Sequence, residues 1–473
     1  MTETGEERFA QKFTDHRLWL FVVILAAIGC LLRYIATLNN LWLDELISLH
    51  LAFSLRSVGH VFTAIHSDNN HYLNTLYLYL IGPQKFWPTY RYFSVACGVL
   101  TIPAGYWAAK IRSSSVGLLY AVVLAFSYPL IHFSSEARGY STAVLAGVVA
   151  YGALARWTVT SGPTRTRWTA CYAVASVFGL LAHLTFLPIL FGFAIWSLLA
   201  TIRMKPRAFG SWLLLHIPVG VLFLLLFWVD LRGIKALGSG VEVRGLPLLS
   251  RLLALSSGWP LRDLWTFWIL GVPLFILAAA AIYRLYRTDD SSWLFFAFTT
   301  FFPPLFLLLP LSLVSLRHLL VFLPFWYLII AIAVQRFPRA VQLAGLGLFV
   351  IGNLFLYSQF LPVGRGQFTK AILFMDQNTS APIITVSSDQ DFRAGIELDF
   401  YQHILPPGRV RLVPNGQHTS EPSEWAIFHS EALAPPLLDK FVWGKMIATK
   451  VAYYGCSELS GQAWTIYHLT PIE

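Results

Sequence analysis

Charge is what this sequence has least of. Only 12% of its 473 residues are charged while 56% are hydrophobic, and the mean hydropathy is +0.60. That excludes the soluble chain of about three domains that the length alone would suggest. Cysteine is scarce as well. Cys30, Cys97, Cys171 and Cys456 show no Cys-x-x-Cys or paired spacing and the first three lie in apolar runs, so they build neither a disulfide framework nor a thiolate metal site. No cleavable signal peptide is visible: Met1 to Arg17 is polar and mixed in charge, and the apolar run from Leu18 lacks a small-residue cleavage site, which reads as an uncleaved anchor. There is no internal repeat and no low-complexity tract. The excess of 34 Lys and Arg over 24 Asp and Glu is spread through short turns rather than gathered in a patch, so nucleic acid is not a partner this composition supports.

What fills the chain instead is apolar runs long enough to cross a bilayer, about 20 residues each. Eleven are read, at 18–38, 92–109, 116–133, 140–155, 168–182, 184–202, 208–229, 264–283, 292–316, 319–334 and 341–361. The segment 71–83 is apolar for only about a dozen residues, the length of a re-entrant or interfacial helix. Leaving it out places five basic turns on the N-terminal side, as the positive-inside rule asks of the cytoplasm. They carry Lys110 and Arg112; Arg156, Arg165 and Arg167; Arg203, Lys205 and Arg207; Arg284 and Arg287; and Arg336 and Arg339. The loop 230–263, with five Arg and Lys on the outer side, is the exception.

The same topology sorts the acids. Nine carboxylates occur between residues 18 and 360, and seven of them, Asp44, Glu45, Asp68, Glu136, Asp230, Glu242 and Asp263, fall outside, so any chemistry faces outward. The chain then divides into a cytoplasmic tail (1–17), a membrane domain (18–361) with outer loops at 39–91 and 230–263, and a polar outer domain (362–473). Alternating runs at 383–387, 410–413, 426–429 and 465–469 predict strands there, and helical patterns at 370–377, 392–403 and 433–441 lie between them, making a small α/β domain.

Candidate functional residues gather at the outer boundary. Asp44 and Glu45 follow the first span; a half-shielded carboxylate suits a general base, and it equally suits the cap of a helix starting at Leu46. His66, Asp68, Asn70 and His71 form a polar stretch before the short helix. These residues line a cleft; a divalent ion is the less favoured alternative, since their spacing matches no standard site. Lys85 and Arg91 follow on the same side. Ser134-Ser135-Glu136-Ala137-Arg138-Gly139-Tyr140 joins two spans, and ionised groups at such a boundary are functional candidates unless they merely lock helices together. Arg317-His318 opens a late span from outside, where a guanidinium fork suits a phosphate. Arg33 and Arg91 read as anchors in bulk headgroups, and the lone His183 as a structural turn residue.

In order along the chain, Asp44-Glu45, Asp68 to Tyr79, Arg91 to Ala109, Ser134 to Tyr140 and Arg317 to Pro324 resemble the motifs of the membrane-embedded GT-C glycosyltransferases. The likeness is to the family 39 and family 83 group, with its protein O-mannosyltransferases and lipid A aminoarabinose transferase, and it covers roughly residues 17 to 335. The chain departs at His71-Tyr72-Leu73, where many relatives have His-Pro-Pro, and at Arg317-His318, where they have Arg-Tyr. The resemblance implies an all-α polytopic GT-C fold of about eleven spans with interfacial helices in the first outer loop. It implies a polyprenyl phosphate-linked sugar donor, a lipid, glycan or protein acceptor, inversion at the anomeric carbon and no cofactor or catalytic metal. Asp44 is the implied base and Glu45 positions it; Arg138 and Arg317, with Lys85 and His318, stabilise the departing phosphate. His66, Asp68, Asn70, His71, Glu136 and Tyr140 line the acceptor cleft. The compact loops point to a bacterial inner membrane by preference, and an archaeal membrane fits them equally well. A lipid-linked oligosaccharide ligase or polymerase, with its chemistry in the 230–263 loop, a transporter built on intramembrane charges, and a non-catalytic subunit are the competing readings.

Overall fold

The computed structural model describes residues 5–204, 209–234, 245–261, 263–308, 316–414, 422–432 and 437–472. They form two compact units. The first comprises residues 1–37, 55–82 and 89–357, and the second comprises residues 38–54, 83–88 and 358–473. The second unit therefore takes in two pieces of the loop 39–91.

The first unit is helical. It contains α1 (Gly5–Ile35) and, beyond α2 (Leu43–Phe53) of the other unit, the short α3 (His60–Thr63) and α4 (Tyr72–Ile81). There follow α5 (Tyr92–Ala109), α6 (Ser114–Phe126), α7 (Tyr128–Ser134), α8 (Tyr140–Val159), α9 (Gly162–Ala182), α10 (Leu187–Met204) and α11 (Phe209–Val229). The last are α12 (Leu246–Ser257), α13 (Leu264–Thr266), α14 (Val272–Arg287), α15 (Trp293–Leu308), α16 (Leu323–Val334) and α17 (Arg339–Val363), whose end from Ser358 belongs to the second unit. Each of the eleven expected runs is mostly helical where it is described, with short breaks such as 36–38 and Ser127. Among the described residues eight helical segments are long and apolar enough to span a bilayer, and α6 with α7, bent by 57°, makes a ninth. The two that fall short have local reasons. The first half of α9 carries Arg165 and Arg167, and the expected run 292–316 extends past the described end of α15. The chain is a multi-pass membrane protein. The segment 71–83 forms α4, ten residues long, too short to cross.

The bend between α6 and α7 shows how a charge is kept in this apolar surrounding. Pro129 has no N–H, which frees the carbonyl of Ala125, and the N–H of Tyr128 bonds Asn353 Oδ1 at 2.7 Å instead of the Leu124 carbonyl. Both freed carbonyls accept from the Arg33 guanidinium of α1, at 3.0 Å for Leu124 and 3.3 Å for Ala125. Arg33 is 1% exposed, and Arg91, 0% exposed, donates to the Thr37 carbonyl at 2.7 Å. Neither is the headgroup anchor that its depth in the sequence suggests; both satisfy main-chain oxygens where water cannot. Arg33→Met is expected to destabilise the detergent-solubilised protein by about 2–5 kcal/mol, because two buried carbonyls lose their donor. A thermal melt reads this, and an unchanged midpoint would refute the assignment.

The second unit holds α2, α18 (Phe368–Asn378), α19 (Asp391–Tyr401) and one six-stranded sheet. Its strands are β1 (Ile384–Ser388), β2 (Val410–Leu412), β3 (Trp425–Ser430), β4 (Lys440–Trp443), β5 (Met446–Tyr454) and β6 (Ala463–Pro471), in the order β2-β1-β3-β6-β5-β4. Strand β1 pairs in parallel with β2 and β3, and the remaining pairs are antiparallel. One face packs Ala426, Ala448, Tyr467 and Leu469 with Phe428, Phe441, Trp443 and Met446. Beside it the buried His429 holds Asp389 Oδ1 at 2.6 Å through Nδ1. Four expected strands and the first two expected helices are present. The third expected helix, 433–441, is not: residues 433–436 lie outside the described part, and Lys440–Trp443 is an edge strand. It turns at Gly444, φ 63°, into β5, a hairpin whose inward Phe441 and Trp443 alternate with outward Lys440 and Val442.

Candidate active site

In the first unit the site is built where two of the sequence motifs meet. The turn Ser135–Gly139 between α7 and α8 is pressed against the end of α9: a Cβ on Gly139 would stand 1.9 Å from the Ala182 carbonyl oxygen and 2.9 Å from His71 Nδ1, so only glycine fits. The start of α4 docks on the same turn through Asn74 Nδ2, which donates to the Ala137 carbonyl at 2.7 Å. From α5, Ser94 Oγ donates to the Arg138 carbonyl at 2.7 Å, and Ser141 Oγ donates back to the Ser94 carbonyl at 2.9 Å. Four helices thus fix Arg138, Tyr140 and His71 relative to one another.

Three rings form the centre. The His71 and His183 ring centroids lie 4.4 Å apart, and Tyr140 stacks on His183 at 4.5 Å. The guanidinium of Arg138, 4% exposed, lies 5.6 Å from the Tyr140 ring centre and donates to Asn69 Oδ1. His183 Nδ1 accepts from the backbone N–H and the hydroxyl of Thr185, at 3.1 and 2.9 Å, which leaves its ring proton on Nε2. His71 bonds the Ala182 carbonyl, and its buried Nε2 meets no hydrogen-bond partner among the described residues. Burial, and after it the charge of Arg138, hold both imidazoles well below their usual range; His183 and Arg317 add to this at His71, and His318 and Arg317 at His183. Arg317 and His318, in the 3-10 turn Leu316–Phe322, therefore share this cluster. It is a buried cluster of arginine cations beside neutral imidazoles, a chemistry suited to an anion.

A pH dependence follows. Both histidines are neutral when folded and take up protons near pH 6.5 when unfolded, so their contribution to stability is full above pH 6.5 and is lost as the pH falls below it. Ligand-free protein is expected to lose about 1 kcal/mol for each ring between pH 6.5 and 5.5. Melts across that range should show His71→Gln with a shallower loss than wild type; parallel curves would refute the account.

The other expected residues take varied places. Glu136, fully buried, lies 3.5 Å from His132 Nε2 within α7 and its turn. His66 Nδ1 sits 2.8 Å from Asp230 Oδ1, and the Tyr72 hydroxyl donates to Asp230 Oδ2 at 2.6 Å, so a buried acid after α11 clamps the segment before α4. Asn70 Nδ2 donates to the Val61 carbonyl at 2.8 Å and shapes that loop. Asp68 is exposed at the Ser67–Asn70 turn. Among the described residues no three His, Cys, Asp or Glu side chains are grouped as metal ligands. Two participants escaped the sequence reading: His183, a turn residue as read but also a member of the ring stack, and Asp230, whose partners lie 158 and 164 residues away.

The second unit carries Asp44, Glu45 and Lys85. Helix α2 starts at Leu43 rather than Leu46, which puts both acids in its first turn. Glu45, 0% exposed, accepts the Trp42 backbone N–H at 3.2 Å and so caps the helix, while Asp44 is only partly buried. The Tyr401 hydroxyl of α19 donates to the Leu41 carbonyl at 2.6 Å and fixes where α2 begins. Lys85 is exposed and lines a cleft of this unit with Asn40, Gln367 and Lys370.

No protein-family model matches this sequence, and no curated protein matches it. Solved structures do. The chain is similar to apo ArnT from Cupriavidus metallidurans, with a TM-score of 0.55 and 11% identity over 94% of this chain and 97% of that one. The same protein bound to undecaprenyl phosphate gives a TM-score of 0.50 and 13% identity over 94% and 98%. At such identity what is shared is the fold, and it is the GT-C fold.

Proposed function

We propose that this chain is an inverting glycosyltransferase that moves a sugar from a polyprenyl phosphate donor to a lipid, glycan or protein acceptor on the outer face of a membrane, the bacterial inner membrane by preference. The observation that carries the reading is the Arg138–His71–His183–Tyr140 cluster with Arg317 and His318 in its field, on a fold shared with a protein solved with undecaprenyl phosphate bound. In this reaction Asp44 takes the proton of the acceptor hydroxyl or amine as that atom attacks the anomeric carbon. The bond from that carbon to the phosphate oxygen breaks on the opposite face, and the sugar inverts without a covalent enzyme intermediate. The polyprenyl phosphate leaves with the electron pair, and the guanidinium groups of Arg138 and Arg317 meet its growing charge. Glu45 holds the helix that presents Asp44.

The competing ligase reading needs free acids in the loop after α11. Among the described residues of that loop, Asp230 is instead bound by His66 and Tyr72, and Asp263 Oδ1 accepts from the Thr266 N–H and hydroxyl, each at 3.1 Å; its third acid, Glu242, lies outside the described residues. Purified protein in lipid nanodiscs, given radiolabelled polyprenyl phosphate sugar and a membrane extract, tests the proposal. Label should move from the polyprenyl fraction to an acceptor; label that stays in it would overturn the reading.

A further inference from the structure

The second unit buries a charge cluster that the transfer reaction does not use. His429, on β3, has its Nδ1 2.6 Å from Asp389 Oδ1, just past the end of β1, and its Nε2 3.4 Å from Glu397 Oε2, on α19. Ser388 of β1 adds a hydroxyl 3.4 Å from the same Nδ1. Glu397 is fully buried and also accepts from Trp464 Nε1 of β6 at 3.0 Å. With its amide turned to suit both neighbours, Gln462 donates to Glu397 Oε1 at 3.0 Å and accepts from Arg393 Nη1 of α19 at 2.7 Å. The charges around His429 are thus Asp389 and Glu397 in contact with the ring and Arg393 behind Gln462. The cluster reaches α2. Glu397 and Tyr401 stand one turn apart on the buried face of α19, and the Tyr401 hydroxyl donates to the Leu41 carbonyl at 2.6 Å, three residues ahead of Asp44. The ring of Phe368 fills the space between, 5.0 Å from the Trp464 ring and 5.5 Å from that of Tyr401.

We infer that His429 is a positioning residue for Asp44: protonated, it bridges Asp389 and Glu397 and holds α19 where Tyr401 fixes the start of α2, and loss of that proton loosens α2. The inference rests on the reading of Asp44 as the base. An imidazolium presents an N–H to each acid. The neutral ring keeps its proton toward Asp389 and aims a lone pair at the Glu397 carboxylate, where no water relieves the repulsion, so Glu397 and the turn of α19 that carries it give way. Burial lowers the proton affinity of His429, but the two acids outweigh it and hold the imidazole above its usual range. The bridge is therefore complete below about pH 6.5 and is lost as the pH rises through the higher value of the folded state.

Hydrogen exchange of the full-length protein in lipid nanodiscs, corrected for intrinsic rates and followed from about pH 6 to 9, tests this without any sugar substrate. Wild-type protection over residues 41–53 is expected to fall about tenfold as the pH rises, while that of β6 holds. His429→Gln cannot carry the charge and should show the low value at every pH. Glu397→Gln offers an amide N–H to the neutral ring and an oxygen to Trp464, so it should keep the high value throughout. Single-turnover transfer should follow the same pattern, slowing at alkaline pH in wild type with the donor KM unchanged, and not in Glu397→Gln. Wild-type protection of 41–53 that ignores pH would overturn the inference. So would an alkaline loss in Glu397→Gln equal to that of wild type, which decides the matter even where His429→Gln fails to fold. Exchange as expected beside transfer that ignores pH would remove Asp44 from the coupling, whereas an absence of transfer at every pH would overturn the glycosyltransferase reading and leave the link from His429 to α2 standing.

Discussion

Asp44→Asn is expected to transfer sugar about 10²- to 10⁴-fold more slowly than wild type while retaining the donor, since the amide keeps the side chain's shape but cannot accept the acceptor's proton. Asp44 is partly buried in the first turn of α2, and its main-chain carbonyl already accepts from Ser48 Oγ at 2.9 Å, so the helix persists without the charge. Glu45→Gln provides the contrast. It weakens the cap at Trp42 and should act through stability rather than through the pH dependence of turnover. Single-turnover rates across pH, together with donor binding, separate the two. An Asp44→Asn enzyme as fast as wild type would remove the base from the mechanism.

Arg138→Gln should cost about 10²- to 10³-fold in transfer, the usual loss when one donor to a developing anion is removed from a water-poor site. Arg138→Lys should recover little of it. The guanidinium reaches Asn69 and lies against Tyr140 together, and an ammonium group cannot hold both while presenting a fork to a phosphate. Asn69→Ala tests whether the loss is merely structural: it removes the partner and keeps the charge, and is expected to raise KM more than it lowers kcat. Full recovery in Arg138→Lys would reduce the role of Arg138 to a point charge.

Much of the membrane unit can be read directly from residue order, because a backbone in lipid must bond to itself and so writes long apolar runs into the chain. The polar turn at Glu136 to Tyr140 and the stretch ending at His71 are legible for the same reason: polar groups at that depth stand out. That they meet is not legible, since the meeting rests on one missing Cβ at Gly139 against a carbonyl 43 residues further on. His183 has no pattern around it and gains its place from that packing. Arg33 and Arg91 mislead because depth along a run looks the same whether an arginine faces headgroups or freed carbonyls; only the position of Pro129 hints at the second. In the second unit the apolar run at Leu437 and Leu438 hides the strand period that starts at Phe441, and the turn glycine at 444 is the better guide.

The arginine of α1 that satisfies the kink of α6 and α7 bears on how this protein is made. As the ribosome feeds the chain into the bilayer, α1 arrives some ninety residues ahead of the carbonyls it serves. Until then its cation has no main-chain oxygen of α6 to bind, and when the kinked hairpin follows, the insertion machinery must release it beside α1 rather than alone. Biogenesis of this protein thus has a built-in order, in which the first helix waits in place as the docking post for the third.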